Sequence, residues 1–177
     1  NDTLYNIENV TTGSGDDTFT LSDSDNNIIN ASGGDDTVNL STSGSLNVTR
    51  SGTRVSASGD SNGNDVLNNI ETLNITGDAN NDTIDLTDSG DNTVDGGGGT
   101  DTLTTTKNST TNGTVTITRG NDGTGAVLNV DGTGFGTDQY TDIDEINIVG
   151  SSGNEDFALL DEEDNIIDGS SGSDTVE

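Results

Sequence analysis

Apolar residues recur along this chain at a spacing that is typical of short strands joined by tight turns. In the segment 16–38, Phe19, Ile29 and Val38 each follow an Asp or Asn by two positions, at intervals of nine or ten residues. Positions two apart face the same side of an extended strand. Each unit is therefore predicted to be a polar turn followed by a short strand with one or two inward apolar residues. Such a unit is too short for a helical crossover, and it fits one side of a flattened parallel coil of strands.

The same pattern occurs three times. Segment 16–38 aligns without a gap with 81–103, and again with 154–176. Because the third copy stops in mid-pattern and no Met begins the chain, we expect a piece of a longer repetitive protein. The predicted organisation is repeat 1 (1–63, with a roll section 1–38 and a hairpin insertion 39–63), repeat 2 (64–136, with a roll section 64–103 and a hairpin insertion 104–136) and a partial repeat 3 (137–177).

The two insertions carry a different pattern. "SLNVTR" (45–50) and "TVTITRG" (114–120) are each followed by a turn and a second strand-like run, which predicts β-hairpins with alternating faces. Counting residues leaves open whether these hairpins project from the coil or form extra coils. The predicted fold class is all-β, a parallel β-roll or β-solenoid with glycine-rich turns, interrupted by these hairpins.

All the cationic residues of the chain lie in the insertions: Arg50, Arg54, Lys107 and Arg119. Two interpretations remain open. Either the hairpins meet acidic neighbours, within or between chains, or positive charge is simply excluded from the glycine-rich turns.

Composition narrows the chemistry. The chain has 33 Asp and Glu, 4 Lys and Arg, no His and no Cys, for a formal net charge of −29. This charge repels nucleic acid and anionic membranes, and no apolar run is long enough for a membrane helix. Leu, Ile, Val and Phe make up roughly a fifth of the residues, which is at the edge of the composition of disordered chains. A positively charged component should therefore contribute to folding, and a ligand set rich in oxygen suits calcium.

The sequence contains few of the side chains that usually act in catalysis, and we expect no enzymatic activity. Without His or Cys there is no nucleophile with a matching base. Spacing does not exclude a pair of catalytic carboxylates of the kind found in glycosidases, but aromatic platforms for a glycan are scarce. The aromatic residues are Tyr5, Phe19, Phe135, Tyr140 and Phe157, and we expect the three Phe and Tyr140 to belong to the core.

One stretch carries a family resemblance. "GGGGTDTLT" (96–104) matches the nonapeptide G-G-x-G-x-D-x-U-x, in which U is apolar, at every fixed position. The chain thereby resembles the repeats-in-toxin (RTX, haemolysin-type) calcium-binding proteins. Segments 12–20, 31–39 and 169–177 match in part, and 150–158 has Glu155 where Asp is expected.

The resemblance implies a parallel β-roll whose glycine-rich turns bind calcium through backbone carbonyls and the Asp carboxylate, with an ion shared between stacked turns. The alternate half-turns carry Asn in the Asp position, which leaves open whether both edges bind calcium. The predicted metal-binding residues are Asp17, Asp36, Asp82, Asp101 and Asp174, with Glu155, Asp65 and Asp138, the alternate Asn27, Asn92 and Asn165, and the turn glycines Gly15, Gly34, Gly97, Gly99 and Gly172.

A physical argument supports calcium independently. Strands of a sheet lie about 4.8 Å apart, so Asp residues at equivalent turn positions would form a column of like charges. Two such charges repel by about 1 kcal/mol in bulk water and by several-fold more near a protein surface. A divalent cation converts this repulsion into bridging, and folding and binding become one equilibrium.

Two functions from different classes follow as expectations. The first is a calcium-stabilised structural module of a large secreted or cell-surface protein, such as an adhesin stalk, a surface layer or an extracellular fibre. Its partners would be calcium ions, further copies of the repeat and neighbouring chains, with no nucleic acid and no membrane insertion. The second is an accessory calcium-binding domain of a secreted enzyme, which assists folding after export. An ice-binding face would need regular Thr rows across coils, for which "TVTIT" alone is thin support.

Overall fold

All regular secondary structure in this computed structural model is β-structure. The structure describes residues 7–107, 109–121, 126–132, 134–159 and 166–177. Within them there is no helix, and the prediction of an all-β chain is confirmed. The strands are β1 (Asn9–Thr11), β2 (Thr18–Leu21), β3 (Ile28–Asn30), β4 (Thr37–Ser41), β5 (Ser45–Ser51), β6 (Arg54–Gly59), β7 (Gly63–Asn68), β8 (Thr72–Thr76), β9 (Thr83–Thr87), β10 (Asp91–Asp95), β11 (Thr102–Thr106), β12 (Gly113–Asn121), β13 (Ala126–Gly132), β14 (Gly136–Thr141), β15 (Glu145–Val149), β16 (Glu155–Leu159), β17 (Ile166–Asp168) and β18 (Thr175–Val176).

The strands form two sheets, each of nine described strands. Sheet 1 has the order β1-β3-β7-β6-β5-β9-β11-β15-β17, and sheet 2 has the order β18-β16-β12-β13-β14-β10-β8-β4-β2. The chain crosses repeatedly from one sheet to the other, and strands from successive visits pair in parallel, as in β2 with β4 and β9 with β11. Parallel pairing with connections this short is what the period of nine to ten residues predicted.

The two insertions lie within the sheets. β5, β6 and β7 form an antiparallel meander in sheet 1, and β12, β13 and β14 form another in sheet 2. The outer strands of each meander continue the parallel pairing, since β7 pairs with β3 and β5 pairs with β9. The described residues of both insertions therefore lie within a sheet, to which each insertion adds antiparallel strands.

The sequence repeat explains why the meanders lie in opposite sheets. One structural unit runs from β1 to β7, which ends five residues into repeat 2, and in the alignment β8 and β15 correspond to β1. From β1 to the end of β7 the chain visits the sheets in the order 1, 2, 1, 2, 1, so the next repeat begins in sheet 2. Because the number of visits is odd, each element has its counterpart in the opposite sheet. The first two repeats together then contribute equally to both sheets.

Inward-facing apolar side chains from both sheets form one hydrophobic cluster. Val38 and Leu73, for example, are partners in adjacent strands and are both fully buried. Burial of such a side chain contributes about 1.5–3 kcal/mol. Phe135, Tyr140 and Phe157 are buried and Phe19 packs against the cluster, so the expectation that these aromatic residues belong to the core is confirmed. Tyr5 lies outside the described residues.

Candidate metal centre

The glycine-rich turns come in three stacked pairs. Turn pair 1 consists of 12–17 and 31–36, turn pair 2 of 77–82 and 96–101, and turn pair 3 of 150–155 and 169–174. In pair 2 the amide of Gly98 donates to the carbonyl of Asp78 at 2.8 Å, and in pair 3 the amide of Ser171 donates to Ser151 at 3.0 Å. Each repeat thus places one pair of turns layer on layer.

Successive turn pairs lie on opposite edges of the molecule. Pairs 1 and 3 connect strands of sheet 1 to strands of sheet 2, whereas pair 2 connects sheet 2 back to sheet 1. This alternation follows from the odd number of sheet visits in each repeat. Glycine-rich turns therefore occur on both edges.

Two glycines of pair 2 have backbone conformations that a side chain would strain. Gly97 has φ +83° and Gly99 has φ +130°. A Cβ at Gly99 would lie 2.5 Å from the carbonyl oxygen of Asn80 in the turn below, whereas Gly98, between them, faces open space apart from one atom at 3.8 Å. Glycine is thus required where two turns approach each other. The corresponding Gly34 and Gly172 also have positive φ, and Gly34 lies against the carbonyl of Gly15.

Predicted aspartate ligands form a ladder between the turns of each pair. Asp36 Oδ1 accepts from the amide of Asp17 at 2.8 Å in pair 1. Asp101 Oδ1 accepts from the amide of Asp82 at the same distance in pair 2. In pair 3, Asp174 Oδ1 accepts from the amide of Glu155 at 2.9 Å. Sequence reasoning missed these amide donors, which satisfy one oxygen of each carboxylate and offset part of the expected repulsion.

A third acidic layer, which sequence reasoning also missed, continues two of these ladders. The amide of Asp36 donates to Glu71 Oε2 at 2.8 Å, and the amide of Asp101 donates to Asp144 Oδ2 at 2.7 Å. Glu71 and Asp144 occupy corresponding positions in their repeats. The sequence signal that could have found this layer is the alignment of "NNIETL" (68–73) with "TDIDEI" (141–146), in which Glu71 and Asp144 take the same position.

An open cleft of about 340 Å³ lies between pair 2 and its third layer. Burial raises the pKa of the Asp101 carboxyl, and the negative charges of Asp82, Asp144 and Asp142 raise it further, against the amide bond from Asp82. The site therefore favours an added positive charge. The lining residues are Gly97, Gly99, Asp101, Asp142, Ile143 and Asp144.

Two observations bear on whether calcium fits the residues of pairs 1 and 2. In pair 1 the second oxygen of Asp36, Oδ2, is buried and has no hydrogen-bond partner among the described residues, as is also true of Asp65 Oδ2 in the alternate half-turns, and a buried oxygen of this kind can accept a cation. Within the described ranges no three acidic side chains converge into a metal site. A cation would therefore also need backbone carbonyl oxygens, and the stacked glycine turns bring these close together.

The alternate half-turns carry a different arrangement. The amide and side-chain amide of Asn27 both donate to Asp65 Oδ1, at 2.8 and 3.0 Å. Asn92 makes the same two bonds to Asp138 Oδ1, each at 2.9 Å. Burial raises the pKa of Asp65 against these bonds. Asn165, the third predicted Asn, lies outside the described residues.

Asp138 is held by neutral donors on both oxygens. Its Oδ2 accepts from the Tyr140 hydroxyl at 2.7 Å, while Oδ1 accepts from Asn92. Burial raises the pKa of Asp138 to about 7, with hydrogen bonds from Tyr140 and Asn92 acting in the opposite direction. These contacts define a structural hydrogen-bond network, so Asp138 is less suited to hold a cation than the carboxylates of the turn pairs.

Two cationic side chains from the insertions form ion pairs with buried carboxylates. Arg50 Nε lies 2.5 Å from Asp88 Oδ1, and Lys107 Nζ lies 2.7 Å from Glu155 Oε1. Of the two interpretations of the clustered positive charge, these contacts support the meeting of insertions with acidic neighbours within the chain. Arg54 is exposed, and nothing is described of the Arg119 side chain.

Comparisons with known proteins identify no similar protein. No family model, no curated protein and no solved structure matches the chain. Among the described residues there is no helix that could cross a membrane.

Proposed function

We propose that this chain is a calcium-stabilised structural repeat module, a parallel β-roll, of a large secreted or cell-surface protein such as an adhesin stalk, surface layer or extracellular fibre. The observation that carries the proposal is the stacking of glycine-rich turns in register, with the buried carboxylates of Asp82 and Asp101 one layer apart in pair 2. The ordered repeat and the absence of His and Cys from the sequence favour a structural role over catalysis.

Calcium would supply the positive charge that the turns lack. Asp17 and Asp36 would hold it in pair 1, and Asp82 and Asp101 in pair 2, together with carbonyl oxygens of the turns around Gly15, Gly34, Gly97 and Gly99. With 33 acidic and 4 basic residues, the chain accumulates repulsion when it becomes compact. An ion that binds only the folded chain stabilises it by mass action.

The partners proposed for the module are further copies of the same repeat and neighbouring chains. Both sheets end in strands that pair on one side within the described structure, β1 and β17 in sheet 1 and β18 and β2 in sheet 2. Sheet ends of this kind favour addition of another strand layer. Apolar side chains are exposed there, including Ile166 at 56% and Val176 at 55% of their maximal surface.

An ice-binding face requires rows of Thr across neighbouring strands, but rows of paired residues in this structure also contain other residue types. Thr104, for example, has Asp85 on one side and Asn147 on the other in sheet 1. This pattern does not favour that alternative over the structural role.

The test is thermal unfolding followed by circular dichroism, with calcium or with excess chelator at matched ionic strength. We expect calcium to raise the Tm and to be required for full β-structure, with a gain of about 2.7 kcal/mol at a free calcium concentration 100 times the Kd. Magnesium at the same concentration controls for screening, because it requires a smaller octahedral site. Identical unfolding curves under all three conditions would contradict the proposal.

A further inference from the structure

Lys107 is a buried cation at the edge that contains turn pair 3. Its side chain is fully buried, as is the side chain of Glu155. Nζ donates to Glu155 Oε1 at 2.7 Å and to the carbonyl oxygen of Thr111 at 2.6 Å. The ammonium group thus contacts a turn carboxylate and a turn carbonyl, which are the two kinds of oxygen that calcium would use in the other turn pairs.

The corresponding place beside turn pair 2 carries no positive charge. Lys107 corresponds to Thr42, because each follows a matching strand and donates its amide to a matching carbonyl, Val149 for Lys107 and Thr76 for Thr42. Thr42 is buried, and its Oγ1 has no hydrogen-bond partner among the described residues. The edge beside pair 2 therefore contains an unsatisfied polar atom where the edge beside pair 3 contains an ammonium group.

The carboxylate next to this position also differs between the two turn pairs. Asp82 in pair 2 corresponds to Glu155 in pair 3. The longer Glu155 side chain reaches Lys107 and also accepts from the amide and hydroxyl of Ser151. Among the described residues, the ion pairs are those of Lys107 and Arg50, and neither involves a carboxylate of pair 1 or pair 2.

The turn between β13 and β14 is also adapted to the lysine. Gly134 has φ +94°, and a Cβ there would lie 2.7 Å from Ser109 Cβ and 2.8 Å from Lys107 Cγ. The corresponding residue of the preceding repeat is Ser61. Three positions thus differ together: where the earlier copies have Thr42, Ser61 and Asp82, the later copies have the buried Lys107 and the residues Gly134 and Glu155 beside it.

We infer that Lys107 is a built-in cation that takes the place of calcium at turn pair 3. Pair 3 is then ordered without metal, whereas pairs 1 and 2 depend on it. This inference rests on the proposed function. It gives the module a metal-independent section from which ordering of the neighbouring layers can proceed when calcium becomes available.

The test is hydrogen exchange of the whole chain, read separately for the three turn pairs by mass spectrometry, with calcium or with chelator at matched ionic strength. We expect calcium to slow amide exchange in pairs 1 and 2 by up to about 100-fold at 100 times the Kd, and to leave residues 150–155 within about twofold of their rate in chelator. An equal response in all three pairs overturns the inference and leaves the proposed function intact. A response in no pair overturns both.

A double variant tests whether removal of the lysine makes turn pair 3 dependent on calcium. Lys107→Thr with Glu155→Asp installs the residues found at pair 2, and we expect residues 150–155 to become calcium-sensitive and a further calcium ion to bind in calorimetry. Arg54→Thr, which removes an exposed cation, is the matched control and should change neither readout. A folded double variant whose pair 3 gains no calcium response contradicts the inference. The wild-type exchange experiment decides the question if the double variant does not fold.

Discussion

Turn pairs 2 and 3 occupy equivalent places in successive repeats, but the carboxylates at their corresponding positions have different partners. In pair 2, the carboxylate of Asp82 accepts from the backbone amides of Gly44 and Asp78. In pair 3, Glu155 is bonded to Lys107. The backbone stacking is alike in both pairs, since each lower turn accepts amide donors from the turn above. The two proposals together predict that one backbone arrangement is completed by a metal in one repeat and by a side chain in the next.

The largest effect should come from removing the lysine. Lys107→Met leaves Glu155 buried without its cation, and loss of one partner of a buried ion pair costs about 3–5 kcal/mol. The free energy of unfolding, measured by urea denaturation in chelator, checks this value. Arg54→Met is the control, because Arg54 is exposed. A loss below about 1 kcal/mol, the range of exposed pairs, would mean that the pair contributes little to pair 3.

The pH dependence should separate a carboxylate that has a cation from one that has neutral donors only. Burial alone would raise the pKa of Glu155, but bonds from Lys107 and Ser151 lower it below its usual value. Its stabilisation is therefore present above the unfolded pKa and is lost as pH falls through the folded value. Asp138 has its pKa raised to about 7. Because the folded chain then holds this proton more tightly than the unfolded chain, stability falls as pH rises from about 4 to 7.

Asp138→Asn isolates the second of these two effects. The substitution should flatten stability against pH between about 4 and 7, where the carboxyl accounts for a decline on the order of a few kcal/mol. Unfolding free energies at half-unit pH intervals in chelator measure this. Asp85→Asn, at an exposed position of β9, is the control for loss of one negative charge. An unchanged slope in the Asp138 variant would show that Asp138 is ionised throughout this range.

The smallest effect distinguishes an ordered turn from a flexible linker. Gly99→Ala places a Cβ against the carbonyl of Asn80 at a positive φ, and such strain costs about 1–3 kcal/mol. Gly98→Ala, one residue away in open space, should change stability by less than about 0.5 kcal/mol. Unfolding free energies with calcium present check both. Equal effects at the two positions would remove the evidence that the turn shape matters.

The spacing of apolar residues predicted the strands and their inward faces, because a period of two residues within units of nine or ten has few structural solutions. Val38 and Leu103 are accordingly buried in β4 and β11. Glycine spacing also predicted the turns in which Gly97 and Gly99 adopt positive φ. These features are local, so a single sequence contains the information for them.

The long-range features could not be derived in this way. Lys107 and Glu155 are 48 positions apart, and they meet because β11 pairs with β15 and β12 pairs with β16. The amide donors of the carboxylate ladder are backbone groups that no residue pattern reveals. The alternation of turn pairs between edges depends on both insertions staying within a sheet, which counting residues had left open.

The most direct test of calcium binding by the turn pairs is anomalous X-ray scattering from crystals grown with calcium, collected at a wavelength where calcium scatters anomalously. We expect peaks beside Asp36 in pair 1 and beside Asp101 in pair 2, each with oxygen ligands at about 2.3–2.6 Å, and no peak between Lys107 and Glu155. Crystals that diffract well and show no anomalous peak at either aspartate, at a calcium concentration that saturates the thermal shift, would contradict the assignment of these turns as calcium sites.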